Sequence, residues 1–589
     1  MPTSEKDNTV HGVEVPEFFR AGVPAIVLSI VAILFIGVSA YSFLFVQPNI
    51  LQRYRDICDQ NLKSLEQERE PTKPKEISPE TLGTLDTQDV DGTEASFKRK
   101  MLLEQTQFCL RRLIMSNNKD DALRFQSAKV FDQLADWYLD QARLALQEKP
   151  NKEGVQEMVA RSQIERKKAT EAMRVALRLN GSYASDSSLW LTRSQLVENF
   201  DLLPSELETI AERVANMVGT ESNSANTPKN QVAPQLLGQI RVLQALSFKN
   251  KFSIEERMKF LKAADKLFAN IELTNQSTNT TIELQGWASQ AKLALDPVAG
   301  QAIANKILPL FWSIRDTETL SVESLAAVFQ CLLAINSVKE SQLFLSDNLR
   351  QLSPIDHPSF RALTAAGALR HIASRGLYDM SSAVERREVN GPSEAVGTRD
   401  TKAGSRLDAV ISMAVQLNPD SLELLAMLER FVKPRENDVM IMRWRDELGL
   451  NGPEEHSPRP VPATPEQGSI PFLSAVVGLS SGKVGKSTED DLVTAVKTSP
   501  AYGVIASRLV MRMVLSGSLS SPDAIRWLKT INGASPEVLV AWSDRASLHL
   551  KDKQFQEAIE CYEFLQEKLP GNEQVAEALE GAKKLRVEG

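Results

Sequence analysis

Leu539–Pro570 reads LVAWSDRASLHLKDKQFQEAIECYEFLQEKLP, and it is where an internal period of this 589-residue chain is clearest. A period of that length marks an array of stacked supersecondary units rather than a single globular core. Upstream, helix-period apolar runs follow one another with short breaks: 121–146, 153–179, 187–200 with 204–217, 234–246 with 253–271, 283–295 with 297–314, then 321–335, 337–352 and 358–375. Ser253 and Glu256 stand at capping-box spacing, where the hydroxyl bonds the third amide and the carboxylate reaches back. No long stretch alternates at period two. The predicted fold is all-α, an α-solenoid built from consecutive antiparallel helical hairpins.

Within the opening stretch, Trp542, Ala546, Ala558, Tyr562 and Pro570 fall at spacings that resemble a tetratricopeptide repeat (TPR). The residue types make physical sense there. Ala546 and Ala558 are small where two antiparallel helices approach closely, and Trp542 and Tyr562 fill the groove between hairpins. Pro570 ends the second helix and sets the following turn. Arg545, His549 and Leu565 depart from the usual Leu, Tyr and Ala. A helix over 573–585 resembles the solvating cap of such arrays. Weaker echoes occur at Ala169–Asn180, at Ala414–Pro419, and at Trp287 with Ala291. The resemblance implies a binding module whose first helices line a concave groove. In this unit Val540, Ser543, Ser547, Leu550 and Lys551 are expected to face that groove and a protein partner. Val540, Ser543 and Ser547 do not match the basic and amide residues with which such repeats grip a C-terminal carboxylate.

The other end of the chain is different in kind. Ala21–Val46, AGVPAIVLSIVAILFIGVSAYSFLFV, is almost wholly apolar and carries no charge. At about 1.5 Å per residue it outspans a hydrocarbon core of roughly 30 Å and is predicted to be a transmembrane helix contacting the bilayer. Phe18, Phe19, Tyr41 and Phe43 sit at its ends, where aromatic rings favour the interface. Val38-Ser39-Ala40 resembles a signal-peptidase site. However, the apolar run continues to Val46, and the first twenty residues hold Lys6 and Arg20 against four acids, a poor signal-peptide start. A retained single-pass anchor is therefore expected. The basic residues Arg53, Arg55, Lys63 and Arg69 favour an internal soluble domain, while the short-tail topology favours the extracytoplasmic side. Expectation tips slightly to the latter.

The resulting organisation is a polar tail (1–20), the anchor (21–46), a juxtamembrane helix (47–69) and a flexible linker (70–96). A helical-repeat array follows (97–450, with a polar insertion near 387–405), then a Pro-rich linker (451–468) and a C-terminal helical unit (469–589). Net charge is −8 and no basic stripe is present, so nucleic acid is not an expected partner. Cys58, Cys109, Cys331 and Cys561 lack metal-ligand spacing and read as small buried hydrophobes. The five histidines are scattered, and no small-molecule substrate, cofactor or metal site is evident. Gly485-Lys486-Ser487, after a strand-like Ile470–Val477, mimics part of a phosphate-binding loop over 478–488, but Ser480 occupies the first glycine position. The expected function is a non-catalytic, membrane-anchored protein-interaction scaffold. Alternatives are a permanent structural subunit of an envelope complex or, more remotely, a nucleotide-binding protein.

Overall fold

The computed structural model describes residues 47–67, 88–148, 152–179, 208, 211–212, 214–215, 232–249, 251–271, 277–315, 320–335, 337–390, 401–434, 439–448, 450, 469–531 and 536–588. The predicted anchor (21–46), the helices expected over 187–200 and most of 204–217, and the Pro-rich 451–468 lie outside them. Among the described residues there is no β-strand, and no helix is long and apolar enough to cross a membrane. The helices are α1 (Gln47–Gln67), α2 (Gln88–Ser116), α3 (Asp121–Glu148), α4 (Lys152–Arg178), α5 (Val232–Leu246), α6 (Ile254–Ala269) and α7 (Thr278–Leu295). There follow α8 (Pro297–Ile314), α9 (Val322–Ala334), α10 (Val338–Gln351), α11 (His357–Asn390), α12 (Thr401–Leu417), α13 (Leu422–Val432) and α14 (Val439–Glu447). The last seven are α15 (Ser469–Gly478), α16 (Lys486–Thr498), α17 (Pro500–Leu515), α18 (Ser521–Thr530), α19 (Pro536–Lys551), α20 (Phe555–Lys568) and α21 (Glu573–Glu588).

The chain forms two compact units. The first holds α1, α2 and the greater parts of α3 and α4. Its core joins Cys58 and Leu65 of α1 to Leu103, Cys109 and Leu110 of α2 and to Val130, Leu134 and Tyr138 of α3. Burial pushes the Cys58 thiol up to about 12, so it behaves as an apolar side chain. Arg166 of α4 donates to Asp136 at 3.0 Å and also pairs with Asp132, tying α4 to α3. Helix α2 starts at Gln88, inside the stretch expected to be linker. Its first turns, Gln88-Asp89-Val90-Asp91, are too polar to show a helical apolar face in the sequence.

The second unit holds α5–α21. Consecutive hairpins pack as expected, α5 on α6, α7 on α8, α9 on α10, α19 on α20, and α21 on α20; α15 on α16 adds a hairpin the sequence reading did not give. Serine caps set many of the helix starts. Ser253 and Glu256 form the reciprocal capping box, and Ser277, Ser321, Ser421, Ser499 and Ser520 each accept a first-turn amide. At the α7–α8 hairpin, Gly300 permits a very close approach, since a Cβ there would sit 2.7 Å from the backbone nitrogen of Leu293. Helix α11 adds a feature the sequence did not suggest. It runs to Asn390, into the expected polar insertion, and packs on α5, α6, α7, α9, α12, α13 and α14. A one-dimensional array contacts only its neighbours, so α11 fastens the middle hairpins across several positions of the stack.

The Pro-rich stretch 451–468 does not separate two bodies. Helices α12 and α13 before it pack on α15 and α17 after it. Tyr502 Oη donates to Ser412 Oγ at 2.9 Å, and Ser469 Oγ donates to the Asp408 carbonyl at 3.2 Å. A proline-rich composition reports local extension and carries no information about what its flanks bury.

At this junction Asp408 is buried, its Oδ1 has no partner among the described residues, and burial pushes its carboxyl up to about 7. A raised folded value means that the folded state holds the proton more tightly than the unfolded chain, whose carboxyl titrates near ~3.9. This group's contribution is fully present below about pH 4 and is lost as pH rises to about 7. Asp408→Asn is therefore expected to stabilise the chain by roughly 4 kcal/mol at pH 8 and by little at pH 4. The difference in melting midpoint between variant and parent at the two pH values checks this. His371, pushed down to about 4 by burial and Arg375, has the opposite pH dependence and cancels in that difference.

Candidate functional site

The sequence-predicted groove residues lie along one side of α19. Val540 is 63% exposed, Ser547 and Lys551 are exposed, and Ser543 and Leu550 are half-buried. Ser547 Oγ donates to the Ser543 carbonyl at 3.0 Å and lies 3.3 Å from Tyr562 Oη. Behind this face the repeat-signature residues build a TPR-like hairpin. Trp542, Ala546 and Ala558 are fully buried, and Tyr562 is nearly so. The Trp542 ring meets Phe564 edge-on at 5.9 Å between centroids. Pro570 is exposed just past the C-cap of α20, and Gly571 at φ 90 turns the chain into α21. His549, in place of the usual Tyr, is buried and engaged on both nitrogens. Arg545 Nε donates to its Nε2 at 3.1 Å, Ser521 Oγ lies 3.1 Å from the same atom, and Gln554 Oε1 lies 2.6 Å from Nδ1. It fastens α18 to α19.

The phosphate-loop mimic lacks its structural setting. Ile470–Val477, read as strand-like, is helix α15, buried along most of its length. A short apolar run cannot distinguish a buried helix from a strand by periodicity. Gly485 is the N-cap of α16, so Lys486 and Ser487 lie inside its first turn. Lys486 is exposed. Arg526 of α18 locks the loop, donating to Glu489 Oε2 at 3.1 Å and to the Val484 carbonyl at 3.3 Å. Among the described residues no three His, Cys, Asp or Glu side chains gather where a metal could sit.

A concavity lies elsewhere, between α8, α9 and α10, with a volume of about 700 Å³. That is within the usual size range of ligand sites. Its floor is apolar: Leu308 and Phe311 from α8, Leu325 and Leu332 from α9, and Phe344 from α10. Phe311 and Phe344 meet edge-on at 5.7 Å. Two large apolar side chains stand at the mouth, Trp312 at 52% exposure and Leu343 at 55%. The α10 rim carries Glu340 and Asp347, and the α8 end carries Arg315, whose guanidinium lies 5.3 Å from the centroid of the Trp312 ring. Pro309 inside α8 removes a backbone donor one turn before this mouth. An apolar floor with an acidic edge can receive a segment presenting apolar side chains on one face and cations beside them. Neither Trp312 nor Leu343 stood out in the sequence, where each reads as one more apolar member of an amphipathic helix.

The polar interior of the second unit was equally hidden. Glu423 of α13 is buried and accepts from Ser247 Oγ at 2.6 Å and from the Phe248 amide at 2.8 Å. Lys249 Nζ is 3.5 Å away. Arg370 of α11, also buried, donates through Nε to Gln290 Oε1 at 2.8 Å, and its guanidinium stacks 4.3 Å from the centroid of the Trp287 ring. Burial pulls the Arg370 guanidinium down to about 9, and the Glu423 charge works against that fall. These are structural devices that join α5, α7, α11 and α13.

No protein-family model matches the chain, and no curated protein matches it. Among solved structures, the crystal structure of the yeast Tom70 aligns over 85% of this chain and 95% of its own length, at 14% identity and a TM-score of 0.18.

Proposed function

We propose that this chain is a non-catalytic, membrane-tethered scaffold that binds an amphipathic polypeptide segment in the α8–α9–α10 groove. The groove itself carries the reading: an apolar floor of about 700 Å³, two exposed apolar side chains at its mouth and an acidic rim. Exposed Trp and Leu around a concave apolar floor are the usual anchors of helix-in-groove recognition. The partner's anchors would fill the space above Phe311 and Phe344, and a Lys or Arg beside them would meet Glu340 and Asp347. The tether is the apolar Ala21–Val46, with the soluble domain on the extracytoplasmic side. Alkaline extraction of membranes should leave the full chain in the pellet and release a chain lacking 21–46.

Selection of displayed helical peptides on the full chain in detergent tests the groove. Binders are expected to share apolar positions at i, i+3 or i+4, and i+7 with an adjacent basic residue. Leu343→Asp places a charge at the mouth without touching the core, so it should weaken such binders at least tenfold while leaving the melting midpoint nearly unchanged. Binders insensitive to Leu343→Asp would refute the site.

A further inference from the structure

A second cavity, of about 210 Å³, lies in the same unit between α7, α8, α9 and α11. Its wall is two-sided. Leu293, Pro297 and Ala334 supply an apolar patch, and Gln301, His371 and Arg375 supply polar groups. His371 and Arg375 are one turn apart on α11, so both side chains serve one face. The imidazole is only 8% exposed, its Nδ1 is fully buried without a partner, and neither ring nitrogen is hydrogen-bonded among the described residues. Arg375 likewise makes no ion pair or hydrogen bond among the described residues. The His371 Nδ1 itself is closed off from the cavity, so Nε2 is the ring nitrogen that can meet a ligand there.

Two of the neighbouring polar groups have partners of their own: Ser374 Oγ donates to the Gln290 carbonyl at 3.4 Å, and Asp379 lies 3.7 Å from Arg443 of α14. Beside its apolar wall the cavity therefore offers the Arg375 cation and one neutral ring, with Tyr378 and the Asp379 carboxylate also on its lining. Burial and the Arg375 charge hold the ring neutral above about pH 4.

We infer that this cavity binds a small organic carboxylate, its oxygens on Arg375 and His371 and its carbon chain on Leu293, Pro297 and Ala334. Guanidinium–carboxylate pairing is among the stronger charge-assisted interactions. The available volume suits a ligand of a few carbons. This site is separate from the α8–α10 groove and does not depend on the reading of that groove.

Titration calorimetry on the full chain in detergent, in a buffer free of carboxylates, tests the inference. The probes are acetate, butyrate, inorganic phosphate and butylamine. Butyrate is expected to bind at least tenfold more tightly than phosphate and more tightly than acetate, and butylamine should give no heat of binding. Arg375→Gln, at a half-buried position, should weaken butyrate at least tenfold with the circular-dichroism melt unchanged. His371→Phe should weaken it comparably; if that variant fails to fold, Arg375→Gln decides alone. Arg315→Gln, in the other groove, should leave butyrate binding as it is. Absence of butyrate binding at millimolar concentration, phosphate binding as tightly as butyrate, or indifference to Arg375→Gln would each overturn the assignment.

Discussion

Glu423→Ala is expected to cost about 3–5 kcal/mol of stability, the typical price of removing one partner from a buried ionic cluster. The carboxylate accepts two hydrogen bonds from the end of α5, at Ser247 and Phe248, and neutralises the Lys249 and Arg370 cations. Truncation removes the Glu423 charge from beside those cations and leaves the Phe248 amide without its acceptor. Glu423→Gln keeps an acceptor oxygen and should cost about half as much, since a neutral amide preserves the hydrogen bonds better than the charge balance. Urea unfolding followed by circular dichroism reads both variants. Arg512→Ala is the internal control. Arg512 pairs with Glu429 at 2.6 Å, but the pair is solvent-exposed, so its loss should change stability by less than about 1 kcal/mol. Equal effects of Glu423→Ala and Arg512→Ala would show that the buried cluster does not hold α13 to α5.

Trp542→Ala carries the second large effect, about 3–5 kcal/mol for deleting a buried indole. Trp542 is wholly buried in the α19–α20 hairpin against Phe564, beside the close approach of Ala546 and Ala558. The indole Nε1 finds no acceptor among the described residues, so Trp542→Phe gives up volume but also removes an unsatisfied donor. It should cost clearly less than the alanine variant. Limited proteolysis would place the damage: cleavage should increase within α19–α21 before it increases around α7–α9. Uniform cleavage throughout the unit would mean that the C-terminal hairpin is not a locally unfolding element.

These two residues also mark how far the sequence could be read. Trp542 was legible because its spacing to Ala546, Ala558 and Tyr562 repeats a pattern whose physics is local to one hairpin. Helix starts were legible for the same reason: Ser253 and Glu256 settle their cap within four residues. Glu423 was not legible. It sits among Leu422, Leu424 and Leu425 like a solvent-facing acid, and its partners lie about 175 residues earlier. Helix α11 hid its role similarly. Arg370 and His371 look like an exposed basic pair until α7 and α13 close over them. Ile470–Val477 misled because it is apolar almost throughout, and a short apolar run shows no periodicity that separates helix from strand.

The candidate site shows the same limit. The α19 face was chosen because a repeat pattern assigns its outward positions. The α8–α10 groove draws on three helices, and its floor residues Phe311, Leu325 and Phe344 are indistinguishable from core in a one-dimensional pattern. Only packing shows that Trp312 and Leu343 stand at an opening rather than beneath a neighbour.

Hydrogen exchange on the full chain, with and without a peptide selected as above, tests the central claim most directly. Added protection confined to amides of α8, α9 and α10 is the predicted result. Protection on the Val540–Lys551 face of α19 instead, or none anywhere, would contradict it.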